Sequence, residues 1–318
     1  MALFLKARLG GASGIGAELV ANVDRCARSR LAPARHYTRC IRINIAVALM
    51  LLSAAASAVS GQGQAGIPVL IYHEIGNASK ELGETAISLD SFTQQMRYLA
   101  DRGYTTISVR ELVNHMRRGD AVPQRPVVLT FDDGWKSVLN AIPVLDQYGF
   151  KASFWIVAEK GIGGDCLAWD DLRQIIRNPR FEVGSHTLTH PWNALDNLVT
   201  WTDGTHSTKG RNDARRELLR SRQLIEEQLQ VPVRYLAWPV GWYNARLIGL
   251  AKRAGYQALL TAEDGLNRYG DDVFAIKRIF VDGACDLEAF ARSLEQGRYV
   301  SCQIARPPTR GHLPRAEK

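Results

Sequence analysis

The sequence is poor in cysteine and histidine, and its basic charge lies outside its body; each shortage excludes something. Only five cysteines occur in 318 residues, with no CxxC pair and no Cys/His spacing of a structural zinc site. Cys26 and Cys40 precede a long apolar run, and Cys166, Cys285 and Cys302 follow it. At most one disulfide and one further thiol are expected there, and the cysteines are not expected to be metal ligands. The net charge of +8 belongs to the two ends. Residues 1–60 hold eight Lys/Arg against Glu18 and Asp24, and Arg306–Lys318 carry a further +3. The remainder is close to neutral, which excludes the concentrated basic face of a nucleic-acid partner. Internal repeats, low-complexity stretches and interior linkers are also missing.

The one long hydrophobic run is Ile43–Ser60 (INIAVALMLLSAAASAVS), preceded by Arg39 and Arg42 and ending in small residues. Ala56-Ser57-Ala58 fits the A-x-A cleavage pattern of a secretory signal, although the stretch ahead of it is long for one. The alternative is membrane association through an anchor at residues 43–60, since the run is near the lower spanning length. Either reading makes the chain an exported one, destined for the periplasm, cell envelope or extracellular space. Residues 10–16, GGASGIG, imitate a dinucleotide-binding turn. Such a turn needs a strand before it and a βαβ unit around it, and the export signal leaves no room for either.

Beyond residue 66, short apolar runs alternate with amphipathic stretches. Pro68–Tyr72, Val127–Phe131, Ala152–Val157, Phe181–Gly184, Tyr235–Trp238, Ala258–Thr261 and Ala275–Phe280 read as strands, mostly continuous runs suited to burial on both faces. Leu89–Arg102, Trp135–Tyr148, Trp169–Arg177, Asp213–Leu229 and Asn244–Ala254 read as helices. Strands alternating with helices imply an α/β fold with a parallel sheet, and the number of units suits a closed or partly closed barrel. Residues 193–211 are polar and read as a surface excursion. The expected organisation is a leader at 1–60, one domain at 61–300 and a disordered tail at 301–318.

Two clusters carry chemistry. Asp132 and Asp133 follow the buried strand 127–131, where charge is costly unless something stabilises it. In parallel α/β folds the C-terminal ends of strands are where sites are built. Helix capping at Trp135 is the structural alternative for this acid pair. His186 and His190 follow the strand 181–184 and, four apart, can meet on one face of a helical turn around one ion. Two imidazoles with one carboxylate make an open three-ligand site suited to zinc, with cobalt, nickel or iron as alternatives.

TFDDG at 130–134 and SHTLTH at 185–190, in that order, resemble the first two motifs of the polysaccharide deacetylases, carbohydrate esterase family four. VLIYHEI at 69–75, FTQQMRYLADRGYTTIS at 92–108 and LAWPVGWYN at 236–244 also resemble this family, most closely its poly-β-1,6-N-acetylglucosamine deacetylase branch. The resemblance spans about residues 67–295 and implies a distorted (β/α)7-type barrel, a divalent metal and an N-acetylated polysaccharide as partner; a monomer is expected. It implies Asp133, His186 and His190 as metal ligands, Asp132 as general base, and the amide of Val240 after Pro239 as an oxyanion donor. His73, which follows the first strand, is assigned as acid or substrate contact, with strand capping as its alternative. Trp238, Trp242 and Tyr243 offer either a sugar-stacking platform or plain packing. Asp282, after the last strand, either tunes a histidine or ends a turn.

Two departures from the pattern stand out. No late Leu-x-His motif exists, because His312 is the only histidine after His206, and Arg234 lies too far before Pro239 for the Arg-x-x-Pro arrangement. The competing functions are peptidoglycan or chitin-oligosaccharide deacetylation, and a non-catalytic carbohydrate-binding barrel.

Overall fold

The computed structural model describes residues 66–76, 85–159 and 165–302, all within one compact unit that begins at Ala65. The leader, the glycine-rich decoy, the apolar run 43–60 and the tail beyond Cys302 lie outside the described residues. Among the described residues no helix is long and apolar enough to cross a membrane.

The strands that position the site are β1 (Val69–Tyr72), β5 (Pro126–Phe131), β6 (Ala152–Ile156), β7 (Phe181–Ser185), β10 (Tyr235–Ala237), β11 (Ala258–Leu260) and β12 (Ile279–Phe280). They run parallel in the spatial order β11-β10-β7-β6-β5-β1-β12, with the short β4 (Thr105–Thr106) beside the start of β5, while β2 (Glu74–Ile75) and β3 (Ala86–Ile87) pair separately. Seven parallel strands thus curl into the distorted barrel that the alternation of runs predicts. The last predicted strand is mostly not a regular one. The stretch 273–278 bonds to β11 and the residues just after it, through Leu259, Thr261 and Glu263, and only Ile279 and Phe280 pair with β1. One stretch therefore serves both open edges of the sheet and closes the ring.

Strand periodicity then sorts the side chains. Val69, Val128, Trp155, Tyr235, Ala237, Ala258, Leu260 and Ile276 form one buried cluster inside the ring. Their strand neighbours Leu70, Leu129, Phe154, Ile156, Leu236 and Leu259 join the larger cluster under the helices. Continuing the inner period gives Val128–Thr130–Asp132, Glu182–Gly184–His186 and Ile276–Arg278. Trp155 is in register with Gly184, where a Cβ would sit 1.9 Å from the indole ring. The missing side chain at Gly184 admits Trp155 as a plug across the barrel.

Outside the ring pack α1 (Leu89–Asp101), α2 (Val109–Arg118), α3 (Ala141–Tyr148), α4 (Trp169–Ile175), α5 (Leu198–Asp203), α6 (Arg211–Leu229), α7 (Ala245–Arg253) and α8 (Leu287–Gln296). The helix predicted over 135–148 divides into a 3₁₀ turn at Lys136–Asn140 and α3. The polar stretch 193–211 is more ordered than its composition implies. It holds most of a two-stranded hairpin, β8 (Trp192–Asn193) with β9 (Asp196–Asn197), and then α5. Asn197 caps α5 through Val199 and Thr200, and Leu198 and Trp201 are buried beneath it. Cys285 and Cys302 form the one expected disulfide, and Cys166 stands outside it.

Candidate active site

Asp132 and Asp133 leave β5 in opposite senses because the backbone turns between them. Asp133 has φ 69° and Gly134 has φ 72°, a left-handed pair that ends the strand before any helix begins. Helix capping is therefore not their role. Asp132 continues the inner period and is buried, while Asp133 swings toward the histidines.

The histidines are brought together by a loop and not by the helical turn that their spacing predicts. Thr187 has φ 69° and His190 has φ 55°, conformations that non-glycine residues rarely adopt. The buried carboxylate of Glu217, from α6, holds this loop. It accepts the amides of Leu188 and Thr189, both at 3.0 Å, and the Thr189 hydroxyl at 2.8 Å. As a result the His186 and His190 rings lie 4.7 Å apart, centroid to centroid.

Asp133, His186 and His190 present ligand atoms all within 4.8 Å of one another. His186 Nε2 is 3.4 Å and His190 Nε2 is 3.3 Å from Asp133 Oδ1. His186 Nδ1 is 2.9 Å from the carbonyl of Ala237, so the N–H belongs there and the Nε2 lone pair faces the cluster. Asp133 Oδ2 accepts the Trp135 indole N–H at 3.1 Å, leaving Oδ1 for the cluster. Two outward-oriented imidazole nitrogens and one carboxylate oxygen fit a divalent ion with open positions. Burial pushes the Asp133 carboxyl up, but its bond to His186 and the surrounding imidazoles hold it well below the carboxylate range.

Beside the cluster lies a pair that the sequence did not reveal. Arg278 is 1% exposed and donates from Nη1 to Asp132 Oδ1 at 2.7 Å and from Nη2 to Oδ2 at 2.9 Å. Its Nε donates to the carbonyl of Thr261 at 2.7 Å, so the guanidinium ties the end of β11 to the end of β5. Burial pushes the Asp132 carboxyl up, yet the Arg278 charge, with His186, outweighs it and holds the group below its ordinary value. A signal for Arg278 did exist: an arginine inside the apolar stretch Ala275–Phe280 is costly unless paired. Arg234, the arginine near Pro239, is instead exposed beside Arg180 and Glu182 at the other end of the barrel.

These residues line a cleft of about 360 Å³ with His73, Trp238, Val240, Gly241 and Phe280. His73 packs on Phe280 at 5.9 Å, and its buried Nδ1 has no hydrogen-bond partner among the described residues. Burial lowers its pKa, against the pull of Asp132 and Asp133. Val240 has φ 58°, strained for a β-branched residue, between Pro239 and Gly241. A Cβ on Gly241 would lie 2.5 Å from that of Ala262, which leaves room only for glycine there.

The sugar platform is corrected in part. Trp238 borders the cleft but is fully buried, its ring stacked on Tyr243 at 6.3 Å, so it is not a surface platform. Tyr243 is tied to Glu263 at 3.0 Å. Trp242, 38% exposed, does not line the cleft, although its neighbour Gly241 does. Asp282 does not meet a histidine; its carboxylate accepts the Tyr299 hydroxyl at 2.7 Å and the Ala284 amide at 2.8 Å. His115 is buried against the carbonyl of Asp120 at 2.8 Å and His206 contacts Asp196 at 3.2 Å, so neither reaches the site.

The family model for polysaccharide deacetylases matches residues 119–259. YxkH of Bacillus subtilis (strain 168), whose name places it among the polysaccharide deacetylases, is 25% identical over 230 residues, covering 72% of this chain and 76% of its own. The poly-β-1,6-N-acetyl-D-glucosamine N-deacetylase of Escherichia coli (strain K12) is 23% identical over 259 residues, and this chain spans only 38% of it. The solved structure of IcaB from Ammonifex degensii superposes with a TM-score of 0.64 at 23% identity, covering 73% of this chain and 97% of that one.

Proposed function

We propose that the chain is a polysaccharide deacetylase that acts on an N-acetylglucosamine polysaccharide, poly-β-1,6-N-acetylglucosamine, and releases acetate. The observation that carries the reading is the buried Asp132–Arg278 pair beside the Asp133–His186–His190 cluster. A base and a metal site are built side by side, and a binding module needs neither.

Asp132 is the general base. Arg278 occupies one lone pair on each carboxylate oxygen and fixes the plane of the group, leaving the others to take a proton from the attacking water. A divalent ion held by Asp133, His186 and His190, for which we propose zinc, supplies a Lewis acid for the acetyl oxygen and lowers the pKa of water. The amide of Val240 is the proposed second stabiliser of the oxyanion. As the C–N bond breaks, the sugar nitrogen must gain a proton. His73 is assigned to this step, because it is the one other titratable side chain lining the cleft among the described residues. Export is proposed from the apolar run 43–60.

The test is acetate release from poly-β-1,6-N-acetylglucosamine, chitin oligomers and peptidoglycan, each with and without chelator. Chelator-sensitive release from the first polymer alone is expected. Release only from chitin or peptidoglycan overturns the substrate and keeps the chemistry, and silence on every glycan with metal bound favours the carbohydrate-binding barrel.

A further inference from the structure

Two tryptophans of the segment after His190 are treated in opposite ways. Trp201 is 4% exposed, and its indole N–H donates to Asp196 at 2.6 Å. Trp192 is 66% exposed and Leu195, at the tip of the β8–β9 hairpin, is 81% exposed. Tryptophan is on average a highly buried residue, and a large exposed apolar pair is the informative case.

The hairpin that carries this pair is firmly held. Asp196 accepts Lys209 Nζ at 3.1 Å on each oxygen and contacts His206 Nε2 at 3.2 Å. The Lys209 ammonium in turn covers the Trp201 ring at 4.4 Å. The Asn197 side-chain amide closes the turn by donating to the carbonyls of Asn193 at 2.9 Å and Ala194 at 3.1 Å. Charge, hydrogen bonds and burial all fix the base of the arm and leave Trp192 and Leu195 outside.

The arm is also anchored at the reaction site. Trp192 is two residues beyond the ligand His190, which limits their Cα separation to about 7 Å. Trp242, the other exposed indole among the described residues, is one residue beyond the cleft residue Gly241, in the loop that follows β10. Each of these exposed indoles thus follows a site residue in sequence, Trp192 after His190 and Trp242 after Gly241.

Taking the deacetylase reading as its basis, we propose that the 192–197 hairpin is a polymer-binding arm, with Trp192 stacking on a sugar next to the one that loses its acetyl group. An N-acetylated pyranose offers a flat C–H face and an acetyl methyl, which suit a rigid indole and an adjacent leucine. A fixed aromatic face binds at little cost in conformational entropy. The arm makes the enzyme read chain length: a longer substrate gains a contact that a single sugar cannot reach.

The experiment compares the full chain with Trp192→Ala and Trp192→Phe on polymeric poly-β-1,6-N-acetylglucosamine and on a small fluorogenic acetyl ester. Trp192→Ala should raise KM for the polymer about tenfold, much more than for the ester, and Trp192→Phe should recover most of the loss. Unchanged polymer kinetics in Trp192→Ala, or an equal loss on both substrates, overturns the arm while the deacetylase reading stands. Weakened binding of Trp192→Ala to phosphatidylcholine–phosphatidylglycerol vesicles, with polymer kinetics intact, assigns the hairpin to lipid and overturns it too. A wild-type chain that releases no acetate from any glycan defeats the deacetylase reading itself, and the arm with it.

Discussion

Asp132 and Glu182 are carboxylates at opposite ends of the barrel, the first buried and the second half-buried, and the barrel treats them oppositely. Glu182 meets neutral donors, the Val109 amide at 2.7 Å and the Ser153 hydroxyl at 2.8 Å. Burial dominates there and pushes its carboxyl above the ordinary glutamate range. Burial pushes the Asp132 carboxyl up as well, but it faces a bidentate guanidinium and is held down. Desolvation pushes both carboxyls up, so the partner decides the direction of the net shift. One end ties β7 to a helix start through a carboxyl that is pushed up, and the other holds a carboxyl down against a guanidinium. The backbone repeats the contrast. Asp133, Thr187, His190 and Val240 are four of the five non-glycine residues with positive φ among those described, and all four belong to the site. Strain of this kind persists where the surroundings over-determine it.

The sharpest way to break the contrast is to remove the guanidinium. Arg278→Met leaves Asp132 buried without its counter-charge, and urea unfolding should show a loss of about 3–5 kcal/mol. Acetate release should fall by at least about 100-fold in the same variant. Next comes removal of the ion. Chelator should lower the Tm of the wild type, by an amount equivalent to about 2.7 kcal/mol where metal had stood at 100 times its Kd, and leave His186→Ala unmoved. A smaller loss, about 1–3 kcal/mol, is expected for Gly184→Ala, whose methyl would meet the Trp155 plug between the two ends.

The smallest effect tests the Glu182 end. Its native pKa lies above the unfolded one, so between the two values the native state holds the extra proton. That contribution is present on the acid side and is lost as pH rises through the native pKa. Tm measured against pH should therefore fall more steeply, from the ordinary glutamate range upward, in the wild type than in Glu182→Gln. Parallel curves would show that burial does not govern this group.

Much of this was legible in the sequence. Buried parallel strands are continuous apolar runs, so the barrel strands announce themselves, and a metal centre of adjacent residues leaves short motifs such as Asp132-Asp133 and His186–His190. Arg278 was not legible as a partner, because it meets Asp132 only through ring closure, 146 residues away in sequence. Glu217 was hidden for the same reason, being one polar position on a long surface helix. The helix α2 did carry a signal, Ser108 and Glu111 at capping-box spacing, but the strand-like Thr105–Ile107 beside it masks its start. The loop between the histidines could not be read from spacing, since an i, i+4 pair is equally compatible with a helical turn.

We propose that Asp132 moves the proton and does not hold the metal. The direct measurement is metal content and acetate release on one preparation of Asp132→Asn, beside the wild type. One divalent ion per chain with no detectable acetate is the predicted result. Turnover at the wild-type rate, or loss of the ion together with activity, would contradict it.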